Sequence, residues 1–142
     1  TRPPWSVKAK EQLHKHRAVV VKDQVPASEY RQLLQDADAL LLAYNFDVDS
    51  KIYIQYSLAN KLPEYLGSGT PVIAYGPEDV ATIAYLDKLG CAKVVSQPDK
   101  QKLKAAILEL LSSRQLRKDL GEAGRATGIT SVVEQAVPKE TE

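Results

Sequence analysis

The chain has 142 residues, a length that fits one domain and is too short for two. Its hydrophobic fraction of 44% and charged fraction of 26% are ordinary for a soluble globular protein. With 19 basic against 18 acidic side chains the net charge is +1, which excludes the electrostatics of a nucleic-acid binder and leaves any bound anion to a few placed groups. The single cysteine, Cys91, cannot form a disulfide within the chain, so nothing points to an oxidising compartment and the expected location is cytoplasmic. No apolar run approaches the roughly 20 residues that span a bilayer, so a membrane is not indicated. Methionine is absent, and an opening of Thr1-Arg2-Pro3-Pro4-Trp5 reads as a piece of something longer.

In chain order, Ala18-Val19-Val20-Val21 is an apolar, β-branched run of strand length, followed by a polar turn over Lys22–Ala27. A helix is expected from Ser28, its N-cap, to about Asp36, with Tyr30, Leu33, Leu34 and Ala37 on one face. Ala39–Ala43 is a second continuous apolar run. Neither run alternates with polar residues, which is how strands covered on both faces read. Tyr44–Ala59 is rich in tyrosine and aspartate and carries no clear pattern. Lys61–Ser68 reads as a helix stopped by Gly69, Pro71–Tyr75 as a strand, and Glu78–Leu89 as a helix closed by Gly90. Ala92–Val95 is a further strand. Asp99 caps a helix through Leu111 whose buried stripe is Leu103, Ala106, Ile107, Leu110 and Leu111, and a last helix runs from Gln115 to Ala123 and ends at Gly124. The expected fold class is α/β, a Rossmann-like parallel sheet with helices on both faces in a single domain. Residues 1–17 form a leading segment, 18–127 the domain and 128–142 a tail, frayed at Pro138–Glu142.

In such sheets ligands bind at the carboxyl ends of the strands. The segment Ser57–Ala74 carries the most chemistry. Pro63 costs about 3 kcal/mol inside a helix but little in its first turn, so the helix should begin near Asn60 or Lys61 with Asn60 as N-cap. The backbone amides of Ala59–Leu62 would then be unpaired, and a helix start with unpaired amides is an anion site. Lys61 adds a positive charge, and the Glu64 carboxylate can accept two hydrogen bonds from a vicinal diol. Together these groups describe a nucleoside diphosphate site. The plainer alternative makes Asn60 only a cap and Lys61 with Glu64 a solvated surface pair. His14 and His16 lie at the amino end of a strand, the wrong edge for an active site, and read as solvated. No catalytic residue, metal site or cofactor is read in the chain.

Lys61-Leu-Pro-Glu-Tyr-Leu-Gly-Ser-Gly-Thr-Pro-Val-Ile-Ala resembles the donor-site signature of retaining glycosyltransferases of the two-domain GT-B fold, especially the family 4 group. Ala37–Leu42, Gly90–Val95 and the Asp99 helix resemble that family's neighbouring elements in the same order, so the resemblance covers roughly residues 19–125. It implies a donor-binding half of a glycosyltransferase that moves a sugar from a nucleotide-diphosphate sugar to an acceptor. Ser57, Leu58, Ala59, Asn60 and Lys61 would hold the diphosphate, Glu64 the ribose, and Lys22–Val25 would lie against the base. The partners implied are the nucleotide sugar and a preceding acceptor-binding domain, without which this chain is expected to be inactive. The family's first donor-domain strand would lie before Thr1 or be degraded into Thr1–Gln12. Many members carry a glutamate eight positions before Glu64 that contacts the sugar; Tyr56 stands there, and the Gly-Phe-Gly-like element is missing, so the donor can differ from UDP- or GDP-sugars.

Two other classes fit parts of the pattern. Gly90–Val95 followed by Pro98 and a leucine-rich helix resembles the end of a response-regulator receiver domain. The run to Ala43-Tyr44 ends without a phosphoacceptor aspartate and Gln97 replaces the lysine, so only a receiver-like protein-interaction domain without phosphoryl transfer would survive. A non-catalytic sugar-nucleotide-binding module is the third class.

Overall fold

The structure is a computed structural model that describes residues 7–136, with residues 128–136 described by their backbone alone. The start of the leading segment and the expected tail at Pro138–Glu142 lie outside the described residues. Two compact units are distinguished, Thr1–Tyr30 and Arg31–Glu142. The elements in order are α1 (Val7–His14), α2 (Ala27–Asp36), β1 (Leu40–Ala43), α3 (Val48–Ile54), α4 (Leu62–Gly67), β2 (Val72–Tyr75), α5 (Ala81–Leu89), β3 (Lys93–Val95), α6 (Lys100–Ser112) and α7 (Arg114–Ala136). Among the described residues no helix is long and apolar enough to cross a membrane.

The fold is α/β. One three-stranded parallel sheet runs in the order β1-β2-β3, with Leu40 paired to Val72 and Ala43 to Tyr75, and Ile73 to Lys93 and Tyr75 to Val95. Successive strand residues face opposite sides, and Val72, Ile73 and Ala74 are all buried, so β2 is covered on both faces. Helices α5, α6 and α7 all pack against β2. The core gathers Leu66 of α4, Val72 of β2, Ile83 and Leu86 of α5, and Leu110 of α6 around this strand.

Four sequence expectations need correction. Ala18–Val21 is not a strand: the Val19 amide closes a turn onto the His16 carbonyl at 3.1 Å, and Val20 is 78% exposed. A β-branched run becomes a strand only where a neighbour offers a ladder, and this one meets none. Of the two places offered for the family's first strand, before Thr1 or degraded into Thr1–Gln12, the second is not met over Val7–Gln12, which is helical. The β1 run does not have two covered faces, since Leu40 and Leu42 are buried while Leu41 is 50% exposed. Gly124 does not end a helix; α7 runs through it to Ala136.

Smaller shifts occur at element ends. Helix α2 starts at Ala27, so Ser28 lies inside its first turn, and of the expected face only Leu34 is fully buried. In α6, Ala106 and Leu110 are buried but Leu111 is 48% exposed. The Asp99 cap is as expected, its carboxylate accepting from the amides of Gln101 at 2.9 Å and Lys102 at 3.2 Å. Gly90 closes α5 in the left-handed region at φ 62°. The patternless Tyr44–Ala59 stretch contains α3, capped by Asp47, whose side chain accepts from the Ser50 amide at 2.8 Å.

Candidate functional site

The crossover from β1 to β2 carries every residue expected to bind the diphosphate and ribose. It leaves the carboxyl end of β1 at Ala43, passes through α3, and returns through α4 to the amino end of β2. The amino end of α4 therefore belongs to the carboxyl side of the sheet, where ligands of parallel sheets bind.

The start of this helix differs from the expectation in a way that matters for anions. Its N-cap is Lys61 rather than Asn60, with no side-chain capping bond, and Pro63 occupies the first turn as its chemistry requires. Two of the four amides expected to be unpaired are taken: Ala59 donates to the Thr82 hydroxyl at 3.0 Å and Leu62 to the Ala59 carbonyl at 3.1 Å. The amides of Asn60 and Lys61 have no hydrogen-bond partner among the described residues. Lys61 is half-buried and Glu64 exposed, and they do not pair; the ion pairs among the described residues are Lys51–Asp79 and Lys93–Glu109. The solvated Lys61–Glu64 pair is thus not formed.

The second half of the motif serves the fold. The Ser68 hydroxyl donates to the Tyr65 carbonyl at 2.6 Å and accepts from the Thr70 amide at 3.1 Å. The buried Thr70 hydroxyl donates to the Leu34 carbonyl at 2.7 Å, one of the last carbonyls of α2, which have no partner within their own helix. Gly69 sits at φ 76°, a left-handed turn between α4 and β2 that suits glycine. Arg125 of α7 donates to the Ser68 carbonyl at 3.3 Å. Ser68–Thr70 is a turn that ties three helices together and is closed to a ligand.

Two clefts open in this region. One, of about 230 Å³, is lined by Leu58, Ala59, Asn60, Leu62, Pro63, Leu66 and Tyr85. It brings together three of the expected residues but neither Ser57, Lys61 nor Glu64. The other, of about 410 Å³, lies beyond the carboxyl ends of all three strands and is lined by Phe46, Lys51, Pro77, Glu78, Asp79, Ser96 and Gln97. None of its residues was expected at a site. The signal was present for all of them except Lys51, which lies in the last turn of α3, because the others follow a strand within a few positions. Phe46 meets Tyr75 edge to face at 5.0 Å between ring centres. Lys22–Val25, expected against the base, belongs to the Thr1–Tyr30 unit and lies in no helix or strand.

The electrostatics of the larger cleft centre on Lys51, whose ammonium lies 2.6 Å from the Asp79 carboxylate. That hydrogen bond holds the Asp79 carboxyl below its ordinary value of 3.8. A depressed folded value means the ion pair is complete above the ordinary value and is lost as pH falls through the folded one. A carboxylate-detected NMR titration should therefore find Asp79 titrating below 3.8 and Lys51→Gln moving it back up. An Asp79 midpoint unchanged by Lys51→Gln would dissolve the pair. The amide of Ser50, and after it the Ser50 side chain, lowers Asp47 in the same direction. The first aspartate after β1 thus serves as the cap of α3. Cys91 is buried, and desolvation pushes its thiol up, away from the thiolate a nucleophile needs. His14 and His16 are exposed, as expected. No group of three or more histidine, cysteine, aspartate or glutamate side chains among the described residues could hold a metal ion.

No family model matches the chain, and no curated protein or solved structure matches it at a significant level.

Proposed function

We propose that this chain is the donor-binding half of a glycosyltransferase, which holds a nucleotide-diphosphate sugar on Ser57–Lys61 and Glu64 and transfers no sugar without an acceptor-binding domain. The observation that carries the reading is the form of the Lys61–Ala74 motif. It folds as a short helix, a left-handed glycine turn and a buried parallel strand, and a cleft lined by Leu58, Ala59 and Asn60 opens at the amino end of that helix. The unpartnered amides of Asn60 and Lys61, with the Lys61 ammonium, supply donors for a diphosphate. Glu64, exposed in the first turn and in no ion pair among the described residues, supplies the acceptor for a ribose diol.

Magnitudes limit what this half can do alone. Small-molecule sites typically enclose roughly 300–1,000 Å³, so a cleft of about 230 Å³ takes part of a nucleotide sugar. Helix α4 has only six residues and a correspondingly small dipole, so charge and amides must act together with Lys61. Affinity in the high micromolar range or weaker follows. Titration with UDP, GDP, TDP and ADP, followed by NMR, should shift Asn60, Lys61 and Glu64 with at least one of them. Glu64→Gln should then cost on the order of 1.5–3 kcal/mol of binding, since bonds to a charged acceptor are about twice as strong as neutral ones. Stability should change by less than about 0.5 kcal/mol, as for an ordinary surface position. Silence towards all four nucleotides would sink the reading, and equal affinities for mutant and wild type would remove the ribose role.

A further inference from the structure

We infer that Thr82 is the positioning residue of the Ser57–Lys61 loop, an inference that rests on the donor-site reading for its functional part. Thr82 lies in the first turn of α5 and is completely buried among Val80, Ile83 and Leu86. A hydroxyl in such surroundings is costly unless both its donor and its acceptor capacity are used. Here both go to one loop: it donates to the Ser57 carbonyl at 3.3 Å and accepts from the Ala59 amide at 3.0 Å. The preceding residue adds a third tie, with the Ala81 amide donating to the Gln55 carbonyl at 2.8 Å. The backbone from Gln55 to Ala59 is therefore stitched to the start of α5.

The stitching ends where the unpartnered amides begin. Beyond Ala59 come Asn60 and Lys61, and then Leu62, whose amide turns back to the Ala59 carbonyl. Thr82 thus anchors one side of a turn whose two open amides we assign to the ligand, and α4 anchors the other. One helical turn after Thr82, Tyr85 lines the same cleft as Leu58, Ala59 and Asn60. Helix α5 supplies both a wall of the cleft and the bond that sets the loop facing it. Without that bond the loop must be ordered by the ligand, and the affinity falls by the ordering cost.

Two hydroxyl-free variants and one that keeps the hydroxyl test this in the 142-residue chain. Thr82→Val retains the branched shape and loses both bonds, Thr82→Ala serves if valine does not fold, and Thr82→Ser retains the hydroxyl. Thermal midpoints, amide exchange at Ala59 and NMR titration with UDP, GDP, TDP and ADP are read together. In the hydroxyl-free variant Ala59 should exchange about tenfold faster or more, beyond any change shared with the β2 amides, and nucleotide affinity should fall about fivefold or more. Serine should restore both to within about twofold. Ala59 exchange that follows β2 in the valine or alanine variant, or an affinity unmoved by the loss of the hydroxyl, overturns the inference. If wild type binds none of the nucleotides, the donor reading falls by itself. The exchange at Ala59 then still decides whether Thr82 holds the loop.

Discussion

Alanine at Gly121 should destabilise the protein by about 2 kcal/mol or more, although it would sit inside a helix where alanine is favoured over glycine by about 1 kcal/mol. A methyl carbon there would stand 2.0 Å from the Gly69 carbonyl oxygen and 3.0 Å from its carbonyl carbon. The obstruction is backbone, in a turn already tied by Ser68, Thr70 and Arg125, so it cannot step aside as a side-chain tip would. Helix α7 must instead lift from α4 and β2, against which it packs. Gly67 is the control. It lies in α4 with nothing within 4 Å of a methyl group, so Gly67→Ala should stabilise by roughly 0.5–1 kcal/mol. Urea midpoints of the two variants should move in opposite directions; a Gly121→Ala protein as stable as wild type would mean that α7 does not approach Gly69 this closely.

Leu66→Ala should cost about 2–5 kcal/mol, a large part of the 5–15 kcal/mol that holds a domain of this size together. Leu66 is 1% exposed, on the face of α4 that meets α7. Its truncation leaves a cavity whose far wall is Gly124, where a methyl group would stand 3.3 Å from a Leu66 terminal carbon. That neighbourhood makes the effect separable from mere loss of apolar area. In wild type, Gly124→Ala gains helix propensity but crowds Leu66 and should be nearly neutral. In the Leu66→Ala background the same methyl group enters emptied space, and should recover about 1 kcal/mol. A double-mutant cycle by urea unfolding measures this coupling, and additivity within about 0.3–0.5 kcal/mol would show that the two positions do not touch.

Gly124 shows why part of the fold was legible in the sequence and part was not. Several residues that act within their own turn were legible, since Asp99 caps α6, Gly69 and Gly90 take positive φ, and Pro63 fixes the first turn of α4, whereas neither Ser28 nor Asn60 is the cap that was expected. The strand positions after residue 38 were legible because long apolar runs between helices have few other uses. Gly124 looked like a helix stop because glycine's local preference and its use as a space-saver leave the same letter; contact with Leu66 in a remote helix decides between them. Val19-Val20-Val21 failed for a related reason, since strand propensity is realised only against a partner. At the site, Pro63 placed the start of α4 to within a residue or two, but the cap is Lys61 and not Asn60. Thr82 was not legible, because a bond reaching across 23 residues to Ala59 leaves no local trace beyond a hydroxyl on an otherwise apolar helix face.

The order of the strands has a consequence for where a complete site can form. From β1 to β2 to β3 each crossover steps the same way, so the described sheet is wound in one direction only. In sheets of this kind the ligand crevice opens where the winding reverses, between two neighbouring strands whose following connections leave to opposite faces. No such point exists between β1 and β2 or between β2 and β3. The outer side of β1 is the place where one could arise. It is an edge of leucine without charge, proline or bulge, the kind of edge that proteins ordinarily cover, and Leu41 beside it is half exposed. A further parallel strand laid on that edge, with its connection on the opposite face, would pair the open backbone groups and bury Leu41. The same event would create the reversal beside the Tyr44–Asp47 loop. Protection of the edge and completion of the crevice are therefore one geometric requirement, met or left unmet together.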